Sequence, residues 1–162
     1  MKEEGYRLNV GIIVANNEGK VLLCKRRGIN SWQFPQGGID KNEDPRKAAK
    51  RELFEEVGIS SKYVKLIKSS DDWYKYDVPE KSRRKILVNK RFKGQKQKWF
   101  LFKLKENIQI SFENDPDHEF DNFKWVSYWY PLAVIVSFKE AVYREALNEL
   151  KFAHCKEFYH AG

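Results

Sequence analysis

Residues 37–59 read GGIDKNEDPRKAAKRELFEEVGI, and this stretch decides how the rest of the chain is interpreted. Asp44 is a preferred helix N-cap, and Pro45 suits the first helical position. Gly58 is a typical residue at which a helix ends, because it adopts the left-handed conformation without steric cost. The stretch therefore predicts a helix from residue 45 to about residue 57. The apolar residues that would face the core repeat every four positions: Ala49, Leu53 and Val57.

Three glutamates lie on one side of this predicted helix. Glu52, Glu55 and Glu56 stand at positions i, i+3 and i+4, so their side chains project in nearly the same direction. Carboxylates gathered in this way supply the hard oxygen ligands that a divalent cation prefers. A cation held by them can bind a polyphosphate and activate water for its hydrolysis. The alternative is a solvated acidic face with Arg–Glu pairs.

Two features beside the helix favour the metal site over a solvated surface. Gly37 and Gly38 predict a flexible turn that can present bare backbone groups to a metal or a phosphate. Glu43, just before the N-cap, is a fourth acid that can fold back over the same site.

The composition indicates one globular domain with polyanionic partners. The chain has 162 residues, 15% of them aromatic, and a net charge of +8. Much of the positive charge lies in residues 81–98, KSRRKILVNKRFKGQKQK, which contain nine basic residues and no acid. This stretch is either a cationic path for nucleic acid or a solubilising surface loop. No run of 18 apolar residues exists that would span a membrane.

The chain also carries indications of a cytoplasmic location. The first residues include acids where a signal peptide needs a basic and then an apolar stretch. Cys24 and Cys155 lack metal-ligand spacing and suit a compartment in which thiols stay reduced.

The remaining pattern predicts a mixed sheet covered by helices, an α/β fold. The expected strands are residues 10–14, 21–25, 32–34, 63–69, 99–104, 108–112 and 123–127. Residues 71–98 form a polar insertion without a clear prediction. A C-terminal helix is expected over residues 137–152, followed by a frayed tail at about 154–162. The buried stripe of that helix would be Phe138, Val142, Ala146 and Leu150.

The acidic helix and its flanks resemble the Nudix box. Gly37, five residues, Glu43, seven residues and then Arg51-Glu52-Leu53-x-Glu55-Glu56-x-Gly58-Ile59 match that pattern at every defined position. The resemblance implies a single Nudix domain over residues 1–162, folded as an α/β/α sandwich around a mixed β-sheet. It also implies hydrolysis of a nucleoside diphosphate linked to another group, with Mg²⁺ or Mn²⁺.

The resemblance assigns roles within the box. Glu52, Glu55 and Glu56 would bind metal, and Glu52 would also deprotonate the attacking water. Arg51 would hold the carboxylates in position. The residues that would support the loop and helix geometry are Gly37, Gly38 and Glu43. Lys41-Asn42 departs from the Pro-Gly of many members, with little expected effect because Asn tolerates the left-handed conformation.

Outside the box, five segments resemble Nudix enzymes that remove pyrophosphate from the 5′-triphosphate end of RNA and also cleave dinucleoside polyphosphates. They are GYRLNVG, SWQFPQGGI, GQKQKWF, EFDNFKWVSYWYP and VSFK. The resemblance implies conversion of 5′-triphosphorylated RNA to a 5′-monophosphate, which promotes decay of messages. It makes Glu119 a fourth metal ligand. The residues it implies at the RNA or nucleotide are Arg7, Arg26, Tyr76, Gln95, Phe138 and Lys139.

Several alternatives remain open. Phe138 either stacks on a base or packs in the core. Dinucleoside polyphosphates are an alternative main substrate, and a non-catalytic RNA-binding Nudix module is a more distant alternative. DNA binding has no motif to support it. Aromatic residues expected in the core are Trp32, Trp125, Tyr128 and Trp129, and histidines expected at the surface are His118, His154 and His160.

Overall fold

The computed structural model describes residues 5–83 and 92–159. Within them, eight strands form one mixed sheet with three helices, which confirms the predicted fold class. The strands are β1 (Tyr6–Ala15), β2 (Val21–Arg26), β3 (Trp32–Gln33), β4 (Gln36–Gly38), β5 (Val64–Ser69), β6 (Tyr74–Asp77), β7 (Gly94–Leu104) and β8 (Phe120–Val126). The helices are α1 (Pro45–Val57), α2 (Pro131–Val134) and α3 (Glu140–Tyr159).

The sheet is organised around its two longest strands. β1 and β7 pair in parallel over their length, from Tyr6↔Gly94 to Ala15↔Lys103, and the other pairs are antiparallel. β1 meets β2 at Ala15↔Val21, whereas β4 pairs with β1 at residues 9–11. β1 and β2 therefore diverge toward the start of β1, and β4 lies in the cleft between them.

Each face of the sheet buries its own apolar cluster. On one face Val10, Ile12 and Val14 pack with the apolar side of α1. On the other face Trp99 and Tyr143 meet with ring centroids 5.3 Å apart and pack among residues of β1, β2 and α3. The sheet is thus covered on both sides, which makes it the middle layer of the sandwich.

The ends of α1 agree with the prediction from the sequence. Asp44 accepts hydrogen bonds from the backbone N–H groups of Arg46 and Lys47 at 3.1 and 3.4 Å. Gly58 adopts the left-handed conformation with φ of 75°, and Asn42 does so with φ of 64°. Asn42 therefore takes the conformation that its position in the loop requires.

Other predictions were wrong in part. Residues 36–38 form strand β4 rather than a flexible turn, and residues 108–112 form no strand. α3 begins at Glu140, after a short 3₁₀ turn at Ser137–Lys139, and continues to Tyr159. The described part of the expected tail is therefore helical.

The structure also assigns strands to part of the polar insertion and the basic stretch. β6 and the first part of β7, which starts at Gly94, lie within residues 71–98. Residues 84–91 of the basic stretch lie outside the described residues, so its assignment stays a prediction. In the described parts of the chain, no helix has the length and apolar character needed to cross a bilayer.

Candidate active site

A cavity of about 400 Å³ opens at the cleft between β1 and β2. It draws on β1, β2, β3, β4, α1, β7 and the segment before β8. Its lining residues are Arg7, Asn9, Arg26, Arg27, Gln33, Gln36, Gly37, Gly38, Glu52, Glu56, Gln95, Asp117, His118, Glu119 and Lys139. Acidic side chains from α1 thus share one cavity with cationic and amide side chains from the sheet.

The acidic part of the cavity is formed by Glu52, Glu56 and Glu119. Glu56 is only 4% exposed, and its Oε2 atom has no hydrogen-bond partner among the described residues. Burial raises the pKa of Glu56 well above its usual value, and the adjacent Glu119 raises it further. A buried carboxylate oxygen without a partner is costly. Such an oxygen beside a second carboxylate suits a hard divalent cation.

Arg51 links the other carboxylates of the box. Its guanidinium donates to both oxygens of Glu43 at 2.9 Å, to Glu52 Oε1 at 2.8 Å and to Glu55 Oε2 at 3.2 Å. It also donates to the carbonyl oxygen of Gly38 at 2.9 Å. Arg51 therefore fixes the loop before α1 and the acidic side of α1 in one arrangement.

The same contacts shift the ionisation of these groups. The hydrogen bond from Arg51 lowers the pKa of Glu43, and the hydrogen bond to Glu43 is the largest of the causes that raise the pKa of Arg51. Burial raises the pKa of Glu52 to about 7, against the opposing hydrogen bond from Arg51. Glu52 thus has a proton affinity suited to a general base near neutral pH.

The two glycines of β4 have a steric function. A Cβ atom on Gly37 would lie 2.0 Å from Cδ of Glu52, and one on Gly38 would lie 2.1 Å from a terminal guanidinium nitrogen of Arg7. Any side chain at either position would displace a residue that lines the cavity. The glycines therefore allow close approach of functional side chains.

The predicted metal ligands come together only in part. Glu52, Glu56 and Glu119 line the cavity, whereas Glu55 does not belong to the lining and is held by Arg51. Among residues 5–83 and 92–159, no three His, Cys, Asp or Glu side chains already stand together as a metal site. The carboxylate donors nonetheless fit a divalent cation, given the unpartnered oxygen of Glu56.

Opposite the acids, a lysine is buried among amides. Lys139 is 4% exposed, and its Nζ donates to Oε1 of Gln33 at 3.4 Å and to Oε1 of Gln36 at 3.3 Å. Gln97 donates to Asn9 at 2.8 Å and to Gln36 at 3.2 Å. Burial lowers the pKa of Lys139 to about 8. This network fixes the position of the Lys139 ammonium group, which can lose its proton at about pH 8.

The other predicted nucleotide contacts are distributed around this network. Arg7, Arg26 and Gln95 line the cavity, as Lys139 does. Tyr76 lies behind the lining, where its hydroxyl accepts from Gln36 at 3.4 Å. Phe138 also lies outside the lining; its ring is 5.9 Å from that of Tyr76 and packs against the core cluster of α3. The core alternative for Phe138 therefore has direct structural support.

Sequence reasoning missed several residues of the cavity. Asn9, Gln33 and Gln36 line the cavity and belong to the buried amide network with Gln97, which is outside the lining. The other unpredicted lining residues are Arg27, Asp117 and His118. Strand alternation in GQKQKWF places Gln95 and Gln97 on the same face as the buried Trp99. Two amides on a core-facing side were the available signal for a buried polar site.

Comparison with known proteins identifies the family. The NUDIX domain pattern matches residues 5–136. The chain is 50% identical over 151 residues to the RNA pyrophosphohydrolase of Vibrio vulnificus (strain YJ016), covering 90% of this chain and 85% of that protein. It is 46% identical over 153 residues to the RNA pyrophosphohydrolase of Francisella tularensis subsp. mediasiatica (strain FSC147), covering 92% of this chain and 96% of that protein.

Solved structures share the fold at lower identity. The E. coli dihydroneopterin triphosphate pyrophosphohydrolase superposes with a TM-score of 0.69 at 22% identity, covering 88% of this chain and 98% of the other. A C. elegans Ap4A hydrolase superposes with a TM-score of 0.62 at 19% identity, covering 89% and 98%. The match of the NUDIX domain over most of the chain, together with relatives about half identical, shows that the chain belongs to the Nudix hydrolase family, whose members generally need divalent metal ions.

Proposed function

We propose that this chain is an RNA 5′ pyrophosphohydrolase that converts a 5′-triphosphate end to a 5′-monophosphate and releases pyrophosphate. The observation that carries this proposal is the single cavity in which Glu52, Glu56 and Glu119 face Arg7, Arg26 and Lys139. Such a cavity can hold a cation–polyphosphate complex at one side and a nucleotide at the other. Relatives about 50% identical over most of the chain are named for this activity.

The carboxylates divide the work of hydrolysis. Glu52, Glu56 and Glu119 would hold Mg²⁺, with Mn²⁺ as a substitute. Glu55 would have to turn away from Arg51, which it contacts at 3.2 Å, to join them. When bound, the metal neutralises phosphate charge and lowers the pKa of water. Glu52 would accept the proton of the attacking water, because its carboxylate lines the cavity beside Glu56 and Glu119. Arg51 maintains the orientation of Glu52 through the hydrogen bond at 2.8 Å.

The basic and aromatic residues would bind the nucleotide end. Arg7 and Arg26 provide cations for phosphate oxygens, and guanidinium groups suit this contact because of their planar donor geometry. Lys139 Nζ lies 5.7 Å from the ring centroid of Tyr76, and Phe138 and Gln95 adjoin that ring. An unstacked base at the RNA end would stack on the half-buried ring of Phe138, since Tyr76 is buried behind the lining.

Dinucleoside polyphosphates are a second class of substrate for the same cavity. They contain the same phosphoanhydride linkage, and catalysis of its hydrolysis depends mostly on charge neutralisation and positioning. A cytoplasmic location is part of the proposal, supported by the RNA substrate and by free thiols at Cys24 and Cys155.

The test is a competition assay in Mg²⁺ between a 5′-triphosphorylated RNA and diadenosine tetraphosphate. We expect the larger kcat/KM for the RNA, with pyrophosphate and 5′-monophosphorylated RNA as products. Fast cleavage of the dinucleotide beside slow cleavage of the RNA would contradict the proposal.

Variants connect the activity to the cavity. Glu52→Gln and Glu56→Gln should each lower kcat on the order of a thousandfold while RNA binding survives, because both act on the transition state. Glu106→Gln changes an exposed glutamate outside the cavity and is the matched control. Undiminished turnover in Glu52→Gln would show that the Glu52 carboxylate is not needed for hydrolysis.

A further inference from the structure

Exposed aromatic side chains are concentrated at a second cavity, away from the active site. Seven large hydrophobic side chains are exposed among the described residues, and four of them are Trp129 (44%), Tyr130 (39%), Phe152 (75%) and Tyr159 (63%). Trp129 was expected in the core, so its exposure corrects that prediction. Single exposed hydrophobic residues need no explanation, but a group of them marks a binding surface.

One end of this group adjoins the active-site cavity. Trp32 precedes Gln33, which lines the cavity, and Arg26, also in the lining, donates its backbone N–H to Ser31 at 2.8 Å. Lys124 Nζ lies 4.2 Å from the ring centroid of Trp32 and 4.9 Å from that of Tyr130. The Lys124 ammonium group therefore contacts both the Trp32 ring, which is next to the active-site cavity, and the exposed Tyr130 ring.

The other end is a second cavity of about 430 Å³. Its lining residues are Ser127, Tyr128, Trp129, Lys151, Phe152, His154, Cys155 and Tyr159. β2 and β8 run between the two cavities, with Arg26 paired to Phe120 and Val21 paired to Val126. Five residues at about 3.3 Å each place the second cavity roughly 17 Å from Arg26, and Lys124 lies between the two ends.

We call Trp32, Lys124, Trp129, Tyr130, Lys151, Phe152 and Tyr159 the aromatic track. Its rings alternate with lysines, and the neighbouring Asp121 is already paired with Lys25 at 2.9 Å. Rings that stack on bases together with cations that follow the phosphates are the usual means of binding a single nucleic-acid strand. The two lysines of the track, Lys124 and Lys151, favour a polyanion over an uncharged protein surface as the occupant.

We propose that the aromatic track binds the single-stranded part of the RNA downstream of its 5′ end; this inference rests on the proposed function. Bases stack on Trp129, Tyr130 and Phe152, while Lys124 and Lys151 contact phosphates. The track deepens the proposal because it distinguishes an RNA chain from a short dinucleotide. Only the RNA is long enough to reach from the cavity along the track.

The test compares two substrates with the same first two nucleotides. One is a 5′-triphosphorylated dinucleotide, and the other is an unstructured RNA of about 12 nucleotides, within the length that such surfaces bind. For wild-type protein we expect a KM at least about tenfold lower for the longer RNA, since only its downstream bases can stack on the exposed rings. Tyr130→Ala, Phe152→Ala and Lys124→Ala should remove most of that difference and leave the dinucleotide kinetics unchanged.

Lys62→Ala is the matched control for Lys124→Ala. Lys62 Nζ also lies over an aromatic ring, 5.0 Å from the centroid of Tyr63, but Lys62 is in the 3₁₀ turn directly before β5, at the opposite edge of the sheet from β3 and Trp32. This control should retain the tenfold difference in KM. Phe152 is 75% exposed, so its replacement tests the track without disturbing the core.

A binding measurement separates failure of the track from failure of the proposed function. Fluorescence anisotropy of a labelled 5′-hydroxyl RNA of about 12 nucleotides reports the track without catalysis. Binding weakened about tenfold in Tyr130→Ala supports the track even if no RNA is cleaved. Equal KM for the two RNAs, or unchanged anisotropy in all three variants, would overturn the track while cleavage of the dinucleotide sustains the proposed function.

Discussion

Arg51 and Glu43 are joined by two parallel hydrogen bonds of 2.9 Å, from Nε to Oε2 and from Nη2 to Oε1. The remaining nitrogen, Nη1, reaches Glu52 and Glu55 on the helix. The planar guanidinium group of Arg51 therefore binds both the loop before α1 and the acidic residues of α1. A lysine ammonium cannot reproduce this arrangement, because it lacks the planar fork of donors.

Arg51→Lys should weaken divalent-metal binding about 10- to 100-fold, the usual effect of losing a group that orients metal ligands. The measurement is a Mn²⁺ titration together with the Mg²⁺ dependence of kcat. Arg46→Lys changes an exposed arginine on the same helix and should leave both unchanged. Wild-type metal dependence in Arg51→Lys would show that Arg51 has no orienting role.

Gly37→Ala should lower kcat at least about a hundredfold, because displacing a catalytic group by about 1 Å has that effect. The new Cβ would lie 2.0 Å from Cδ of Glu52 and must displace that side chain. Steady-state kinetics and thermal melting measure the two consequences, and we expect only a small change in Tm.

Gly28→Ala is a control for that substitution. Its Cβ meets nothing within 4 Å, although its φ of +77° costs roughly 1–2 kcal/mol in a residue with a side chain. It should lose some stability and keep kcat. The opposite pattern in the two variants would contradict a steric function for Gly37.

The KM for RNA should rise as pH increases through about 8, the pKa to which burial lowers Lys139. The groups that act on its charge are Glu119, Arg26 and Glu56. The lysine is charged below this pH and loses its proton above it, so its contact with the nucleotide end of the RNA weakens about tenfold, roughly the value of one charge-assisted hydrogen bond. Lys139→Gln should show a KM that is higher and flat over the same range. An identical pH profile in that variant would assign the step to another group.

His154 should make the protein less stable in mild acid. It is buried, its Nε2 lies 2.7 Å from the carbonyl oxygen of Gly19, and its ring stacks 4.3 Å from that of Tyr128. Burial lowers the pKa of His154. The unfolded chain therefore binds more protons as pH falls below about 6.5, and stability present above that pH is lost on acidification.

Urea unfolding on both sides of this pH measures the effect. In His154→Gln the contribution disappears, so the free energy of unfolding should change less on acidification than in the wild type. Equal pH dependence in the two proteins would show that His154 is protonated alike in the folded and unfolded chain.

The parts of the fold that were predicted correctly depend on local chemistry. The ends of α1 follow from Asp44, Pro45 and Gly58, whose effects act within one helical turn. The family assignment follows from fixed spacing in the same segment and is confirmed by the comparisons. Glu52 and Glu56 were predicted from the same spacing; both line the cavity, and their roles in catalysis stay predictions.

The parts that were missed depend on partners distant in the sequence. β4 looked like a turn because its two glycines are flexible, yet pairing with residues 9–11 makes it a strand. His154 looked like a surface residue because its contact, Gly19, lies 135 positions away. The amide network joins residues of β1, β4 and β7, which no local pattern brings together.

The parallel pairing of β1 with β7 has a consequence for how activity develops during folding. Asn9 and Gln97 hydrogen bond across this pair although 88 positions separate them. Closing so long a loop is entropically costly, and folds rich in such contacts reach their native state slowly. The acidic helix can form early from its own caps, but the floor of the cavity exists only after both strands have met. Refolding followed by circular dichroism should therefore show helix before any recovery of hydrolysis.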